Sequence, residues 1–306
     1  MRKFWLAITL TLAVLASLTA AVAREPEEGV KVGNPSFLRK LVSAERIEKA
    51  GSLQFGQLKT QAAAKRALLP ADHPQTERLR RIFRDLLPHA GKWNPRAKDW
   101  RWDVVTLASR NINAFCLPGG KIVFFTGILD RLRLTDDEVA MIMGHEIAHA
   151  LREHARERAA KTTLTNVTGR IVGLLIFGQG GDVLGAAGSN LLTLKFSRDD
   201  EREADLVGME LAARGGYDPA AGITLWEKMS AAAQGAPPQW VSTHPSSQSR
   251  IQLIKDHLKD VQPLYERAKA ARSASKGPDA STTDPALSPK ATKGDLPAQI
   301  PPSGPR

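Results

Sequence analysis

The chain has 306 residues, 42% of them hydrophobic, which is enough for one or two domains with a core of their own. Cys116 is the only cysteine, so an intramolecular disulfide and a cysteine-based zinc site are both excluded. The formal charge of +11 is compatible with contact to an anionic membrane surface or to nucleic acid, and the N-terminus helps to choose between them.

The N-terminus has the three-part pattern of a secretory signal peptide. Arg2 and Lys3 precede an apolar run, and Ala21–Ala23 matches the small-x-small cleavage pattern. We therefore predict a signal peptide over residues 1–23. An uncleaved membrane anchor is the alternative, because the apolar run approaches the length of a short span. An export signal favours a location in the periplasm and argues against nucleic acid as a partner. In the periplasm, a positively charged protein could attach peripherally to an anionic membrane surface.

Residues 24–98 are predicted to form a helical segment, since apolar residues recur at helical spacing in stretches such as TERLRRIFRDLL. The pattern then changes to short β-rich runs. Asp103–Leu107 is one such run, and Ala114–Leu117 and Lys121–Phe125 flank a Pro-Gly-Gly turn, which indicates a β-hairpin. We expect a second domain over residues 99–270 that begins with these strands.

A long helix is predicted next. Thr135–Glu138 matches a capping box, and the helix that it opens is expected to run to Arg158. This helix contains HEIAH, so His145 and His149 lie one turn apart on one face and can bind the same metal ion. Glu146 is rotated by about 100° from His145. It therefore borders the site and is placed to act as a general base that takes a proton from the attacking water.

The third metal ligand must come from elsewhere in the chain, because a catalytic zinc usually has three protein ligands. Glu201 and Asp205 share a helix face with the small residues Ala204, Gly208 and Ala212, which permit close packing against the metal helix. We predict Glu201 as the ligand and Asp205 as a hydrogen-bond partner of a ligating histidine. Spacing alone leaves the reverse assignment open.

Two neighbouring polar residues are expected to be solvated. Glu203 is rotated by about 200° from Glu201 on the same helix and should face water. His154 follows the second histidine of HEIAH by five residues, which does not match the spacing of a third ligand on the same chain segment. We interpret His154 as an exposed helical residue.

Two further regions are less informative. Residues Ile171–Leu194 are apolar and rich in glycine, which is typical of a buried helical hairpin or of a surface that enters a lipid headgroup layer. Residues 271–306 are rich in Ser, Pro, Lys, Ala and Thr and are predicted to be a disordered tail.

Taken together, HEIAH at 145–149 and SRDDEREAD at 197–205 resemble the HtpX and CAAX-prenyl-protease family of zinc metallopeptidases, and within it the exported branch of LoiP, BepA and Oma type. The resemblance extends through NAFCLPGGKIVFFTGILD at 113–130 and STHPSSQSRI at 242–251. It covers about half the chain. It implies an α+β, predominantly helical fold of the gluzincin type, with a small β-sheet before the HExxH helix.

The resemblance also implies roles for particular residues. One zinc ion per chain would be bound by His145, His149 and Glu201, with Glu146 as the base. His244 would correspond to a histidine that caps the zinc in a resting state, although the sequence alone is equally compatible with an ordinary loop histidine. Arg250 would face the cleft and stabilise a developing oxyanion.

These features predict a zinc-dependent endopeptidase of the bacterial cell envelope. Its expected partners are unfolded or misassembled envelope proteins as substrates, and either an anionic membrane surface or the outer-membrane assembly machinery as a docking partner. The alternative is a chaperone-like or scaffolding envelope protein with a structural or weakly active zinc site. Glu146 favours the enzyme, because a structural site needs no base beside its ligands.

Overall fold

The structure is a computed structural model that describes residues 28–165, 196–233, 238–244 and 248–275. The predicted signal peptide over 1–23, the apolar region Ile171–Leu194 and most of the tail over 271–306 lie outside the described residues.

The described chain is predominantly helical and contains one small sheet, which confirms the predicted α+β class. Three strands and nine α-helices are described, and short 3₁₀ turns connect some of them. In chain order they are α1 (Ala44–Ala64), α2 (Pro74–Leu86), β1 (Asp103–Leu107), β2 (Ala114–Leu117), β3 (Lys121–Phe125), α3 (Thr126–Arg131), α4 (Asp136–Leu151), α5 (His154–Thr165), α6 (Arg198–Arg214), α7 (Ala221–Ala232), α8 (Gln239–Thr243) and α9 (Gln248–Ser275).

The sheet has the strand order β1-β3-β2, so β2 lies at one edge. β1 and β3 are parallel, and β2 and β3 form the predicted antiparallel hairpin, with Ala114 opposite Phe124 and Leu117 opposite Lys121. Gly119 and Gly120 in the hairpin turn both have positive φ, at +81° and +77°. Glycine adopts this backbone conformation without the steric cost that a side chain would add.

Each face of the sheet packs against a different layer. On one face, Val105, Leu117 and Val123 form a small core with Phe55 and Ala62 of α1. The strand residues that alternate with these point to the other face. There they join the large core that also contains the buried sides of α2, α4 and α6. This alternation follows from the two-residue period of a strand. The sheet is therefore covered on both sides, and its edge strand β2 contacts α4, the helix that contains HEIAH.

Helix α4 begins with the predicted capping box, in which Thr135 and Glu138 exchange hydrogen bonds between side chain and backbone. Its end was predicted incorrectly. The helix stops at Leu151, Arg152 is its C-cap, and Glu153 adopts a left-handed conformation with φ of +59°. A new helix, α5, starts at His154. The chain thus changes direction shortly after the second histidine of HEIAH.

The close crossing of α4 and α6 positions the two parts of the predicted metal site. A methyl group on Gly144 would lie 2.5 Å from the carbonyl oxygen of Gly208, and one on Gly208 would lie 2.6 Å from the backbone nitrogen of His145. The two backbones therefore touch, as the small residues on the Glu201 face predicted. Only glycine permits this separation without a shift of backbone.

Among the described helices, none is long and apolar enough to cross a membrane.

We predict that Gly208→Ala destabilises the protein by about 1–3 kcal/mol, because the added methyl group must push the α4 and α6 backbones apart. The same separation should weaken metal binding, since the ligands lie on different helices. Chemical denaturation of the metal-free protein and a zinc titration measure the two effects.

Gly56→Ala is the matched control. Gly56 is exposed in the middle of α1, and an added methyl group would meet nothing within 4 Å. Helix propensity alone should then raise the free energy of unfolding by up to about 1 kcal/mol. Equal stability of the Gly208→Ala variant and the unmodified protein would disprove the close-crossing argument.

Candidate metal centre

The HEIAH helix presents two imidazoles toward the same point. The Nε2 atoms of His145 and His149 lie 3.1 Å apart, and both side chains are buried. Their ring centroids are 4.7 Å apart in an edge-to-face arrangement. This is the geometry expected of an i, i+4 pair on one helix face.

Glu201, in the first turn of α6, places its carboxylate opposite this pair. Its Oε2 atom lies 3.4 Å from His145 Nε2, and its Oε1 atom lies 3.5 Å from His149 Nε2. Zinc–nitrogen and zinc–oxygen bonds of about 2.0–2.1 Å at tetrahedral angles would separate the ligand atoms by about 3.3 Å. The three side chains therefore fit a single zinc ion.

His244 adds a fourth donor to the group. Its Nδ1 atom lies 3.2 Å from His145 Nε2 and 2.9 Å from Glu201 Oε1. The residue directly follows α8, and its backbone N–H donates to the carbonyl oxygen of Trp240. One donor atom from each of the four residues lies within 4.8 Å of the others, and all four residues are buried. Imidazole nitrogen and carboxylate oxygen are ligands that zinc prefers.

Glu146 borders this group, as its rotation on α4 predicted. Its Oε1 atom accepts a hydrogen bond of 2.7 Å from Trp240 Nε1 and lies 3.6 Å from His244 Nε2. Only 2% of the residue is exposed. The indole therefore orients one carboxylate oxygen of Glu146 beside the donor atoms of the metal group.

Asp205 and Arg250 support the ligands from behind. Asp205 Oδ1 lies 3.1 Å from His145 Nδ1. Arg250 donates to Asp205 Oδ2 at 2.6 Å and to Glu201 Oε2 at 2.8 Å, and its guanidinium stacks on Trp226 at 3.8 Å. The donors of Arg250 thus face two carboxylates and the ring of His145. These contacts place Arg250 behind the ligands, whereas the family resemblance implied a role at a developing oxyanion.

Both buried carboxylates are held in their ionised form. Burial alone would raise the pKa of Glu201, but the facing His244 and His145 rings outweigh it and hold that pKa well below its usual range. Burial would likewise raise the pKa of Asp205, and the Arg250 guanidinium lowers it instead. Ionised carboxylates are the form that binds a metal ion or orients a ligating histidine.

The two imidazoles of α4 respond differently to burial. Burial would lower the pKa of His145, but hydrogen bonds with Asp205 and Glu201 outweigh it and raise that pKa to about 9. Burial dominates at His149 and lowers its pKa well below the ordinary value. In the metal-free protein these shifts favour a proton on His145 over one on His149, and metal binding would displace that proton.

Comparison with known proteins identifies the family to which this site belongs. Residues 73–258 match the model of peptidase family M48, and this span contains the whole group described above. The chain belongs to peptidase family M48. M48 metallopeptidases use zinc, which agrees with the donor set of the site. The predicted resemblance to LoiP, BepA and Oma is confirmed.

Three relatives illustrate the match. Mitochondrial metalloendopeptidase OMA1 of Arabidopsis thaliana is 35% identical over 178 residues, which are 58% of this chain and 36% of the relative. Metalloprotease LoiP of Escherichia coli is 31% identical over 157 residues, 49% of this chain and 60% of LoiP. The beta-barrel assembly-enhancing protease of Escherichia coli is 29% identical over 164 residues, 50% of this chain and 34% of the relative. The chain thus spans 34–60% of the length of these relatives.

The M48 site contains a buried histidine that was predicted to be solvated. His154 is only 2% exposed, and its Nδ1 atom lies 2.9 Å from His149 Nδ1. The prediction was wrong because it assumed one continuous helix, on which a residue five positions after His149 would be rotated by about 140°. The chain turns at Glu153 instead, and α5 begins with His154 beside His149.

Glu203 also differs from its prediction. Its side chain is 27% exposed, accepts a hydrogen bond of 2.7 Å from Arg152 Nε and lies 3.4 Å from His154 Nε2. Burial would raise the pKa of Glu203, but the facing His154 and Arg152 outweigh it and lower that pKa. Glu203 therefore binds the residues on both sides of the α4–α5 turn and does not simply face solvent.

Two aromatic residues contact the metal site without belonging to any motif in the sequence. Phe196 stacks on the His149 ring with centroids 4.0 Å apart and an interplanar angle of 24°. Trp240 binds Glu146 and also packs against Trp226. No metal-ligand spacing includes either aromatic residue. Their positions depend on how separate segments meet around the helices.

We predict that Asp205→Asn weakens zinc binding by about 10–100-fold, because the amide cannot match the carboxylate that faces both His145 and Arg250. A competition titration with a chromophoric chelator measures this affinity. Asp256→Asn makes the same chemical change at an exposed position of α9 and should leave the affinity unchanged. Equal zinc affinities for the two variants would argue against a supporting role for Asp205.

Proposed function

We propose that this M48 chain is a zinc-dependent endopeptidase of the bacterial cell envelope that cleaves misfolded or misassembled outer-membrane and periplasmic proteins. The main support is the geometry of the metal site. His145, His149 and Glu201 converge at distances suited to one zinc ion, and Glu146 lies beside them as a potential base.

In this proposal, His145, His149 and Glu201 hold the zinc ion, which would polarise the scissile carbonyl and make a water more acidic. Glu146 takes the proton from the attacking water and passes it to the leaving amine. Trp240 holds the Glu146 carboxylate by a hydrogen bond of 2.7 Å. The base is therefore oriented before a substrate arrives.

Arg250 has a positioning role in this proposal. It binds the carboxylates of Glu201 and Asp205, and Asp205 in turn faces His145. A buried guanidinium with these partners neutralises the negative charge behind the ligands and keeps both carboxylates in place. We assign Arg250 to this task instead of oxyanion stabilisation.

The substrate is proposed to bind as an extended strand. β2 is at the edge of the sheet and contacts α4, so a peptide that pairs with Asn113–Leu117 would run past the HEIAH helix. Main-chain pairing of this kind is tolerant of side chains. It suits an enzyme that acts on many unfolded proteins.

Location and partners are proposed from sequence features and relatives. The predicted signal peptide and the similarity to two Escherichia coli proteases favour the periplasm. One of these relatives is named for beta-barrel assembly, which favours the outer-membrane assembly machinery as a partner of this chain. The charge of +11 favours peripheral contact with an anionic membrane surface.

We predict that Glu146→Gln binds zinc with unchanged affinity and loses on the order of 10²–10⁴ in hydrolysis rate, because the amide cannot accept the proton. Cleavage of casein and of an unfolded outer-membrane protein by the full zinc-loaded chain, with and without a chelator, measures the rate.

Glu227→Gln, at an exposed position of α7, is the control for this change and should cleave normally. Near-normal cleavage by the Glu146→Gln variant would overturn the role of Glu146. If the unmodified chain binds zinc and prevents aggregation of the substrate without cleaving it, the chaperone-like alternative replaces the enzyme.

His244 is proposed to cap the zinc in a resting state. Four protein ligands close a zinc site, whereas a catalytic site needs one position for water. The Nδ1 atom of His244 lies 2.9 Å from Glu201 and 3.2 Å from His145, close enough to take the fourth position. Turnover would then require His244 to move away.

We predict that His244→Ala raises the basal cleavage rate at unchanged zinc content. A tenfold increase would mean that about nine in ten molecules of the unmodified enzyme are in the capped form. Initial rates with casein, compared at equal zinc loading, test the prediction. An unchanged or lower rate would contradict capping.

A further inference from the structure

We propose that His154 is a positioning residue that, together with Glu203, fixes the tautomer and the ring orientation of His149 as a metal ligand. This inference rests on the proposed metal site at His145, His149 and Glu201. It concerns a histidine that is not part of the ligand group itself.

Three side chains form a continuous path away from the metal site. His149 Nδ1 lies 2.9 Å from His154 Nδ1, and His154 Nε2 lies 3.4 Å from Glu203 Oε2. Arg152 Nε donates to the same Glu203 oxygen at 2.7 Å. Both histidines are at most 3% exposed, so water has little access to compete for these contacts.

The positions of the protons follow from metal binding. A nitrogen that binds a metal ion carries no proton, so a metal at His149 Nε2 places the ring proton on Nδ1. This N–H then donates to His154 Nδ1, which must be unprotonated. The proton of His154 is therefore on Nε2 and faces the ionised carboxylate of Glu203. Every nitrogen on the path has one role, and none is left without a partner.

The other ligand of α4 has an equivalent support. His145 Nδ1 faces the Asp205 carboxylate, which Arg250 holds from behind. His149 instead reaches its carboxylate, Glu203, through His154, and Arg152 binds that carboxylate. A carboxylate or other acceptor behind a ligating histidine orients the ring and strengthens the ligand. His154 thus performs for His149 what Asp205 performs for His145.

The turn between α4 and α5 explains how His154 reaches this position. Glu153 has φ of +59° and accepts from Arg39 and Arg156, each at 2.9 Å. Arg152 also donates to the backbone oxygen of Gly33. The N-terminal segment and α5 therefore hold the turn that directs His154 toward His149.

Three variants of the full chain test the proposal through zinc affinity, which needs no cleavage assay. His154→Phe removes the acceptor, and we expect zinc binding to weaken by about 10–100-fold. His154→Asn places an amide oxygen near the former Nδ1 position and should stay within about threefold of the unmodified protein. His154→Gln has a longer side chain that places its amide nearer to the former Nε2 position, so it should bind zinc as weakly as His154→Phe.

The Asn and Gln variants separate positioning from folding. Both replace His154 with a polar amide, but Asn is smaller and leaves the larger gap at this buried position. An effect of packing alone would therefore lower the zinc affinity of the Asn variant at least as much as that of the Gln variant. The absorption spectrum of the cobalt-substituted protein provides a second readout, and it should resemble that of the unmodified protein in the Asn variant only. His257→Phe, at a partly exposed position of α9, is the control for loss of a histidine.

Each outcome has one meaning. A loss of affinity in the Phe and Gln variants with retention in the Asn variant supports the proposal. Equal affinities in all three variants, whether unchanged or reduced, overturn it. Failure of the unmodified chain to bind zinc would instead overturn the proposed function. The experiment therefore distinguishes an error in the role of His154 from an error in the proposed function.

Discussion

The backbone contact between Gly144 and Gly208 is the constraint on which the site depends. It brings α6 against α4 so closely that a methyl group on either glycine would meet backbone atoms at 2.5–2.6 Å. At this separation the carboxylate of Glu201 reaches His145 and His149 at 3.4 and 3.5 Å. If the two helices were farther apart, the Glu201 carboxylate on α6 could not bind the same metal ion as the two histidines on α4.

Close packing also buries a large amount of charge, and the site balances it internally. Glu201 and Asp205 would be costly to bury alone, since an unpaired buried carboxylate favours protonation. Arg250 binds both of them, and its guanidinium is stacked on Trp226. Hydrogen bonds with Asp205 and Glu201 raise the pKa of His145 to about 9, which favours its protonated form in the metal-free protein. The carboxylates of Glu201 and Asp205 would therefore suit a zinc ion in place of that proton.

A second set of contacts connects the N-terminal part of the chain with the site. The segment before α1 contacts the α4–α5 turn and the first turn of α5 through Arg39 and the backbone of Gly33 and Val42. The turn it supports carries His154, which lies against His149. Residues far from the metal group in sequence thus help to determine the orientation of one proposed ligand.

Local sequence patterns suffice to predict the capping box of α4, the hairpin turn, and two histidines one helical turn apart with Glu146 between them. Helix and hairpin geometry repeat at short range, so a few residues suffice to predict them. The positions and partners of His154, Trp240 and Arg250 instead depend on tertiary contacts. The helix break at Glu153 and the approach of α8 and α9 depend on contacts between distant segments, and the one-helix assumption consequently misplaced His154.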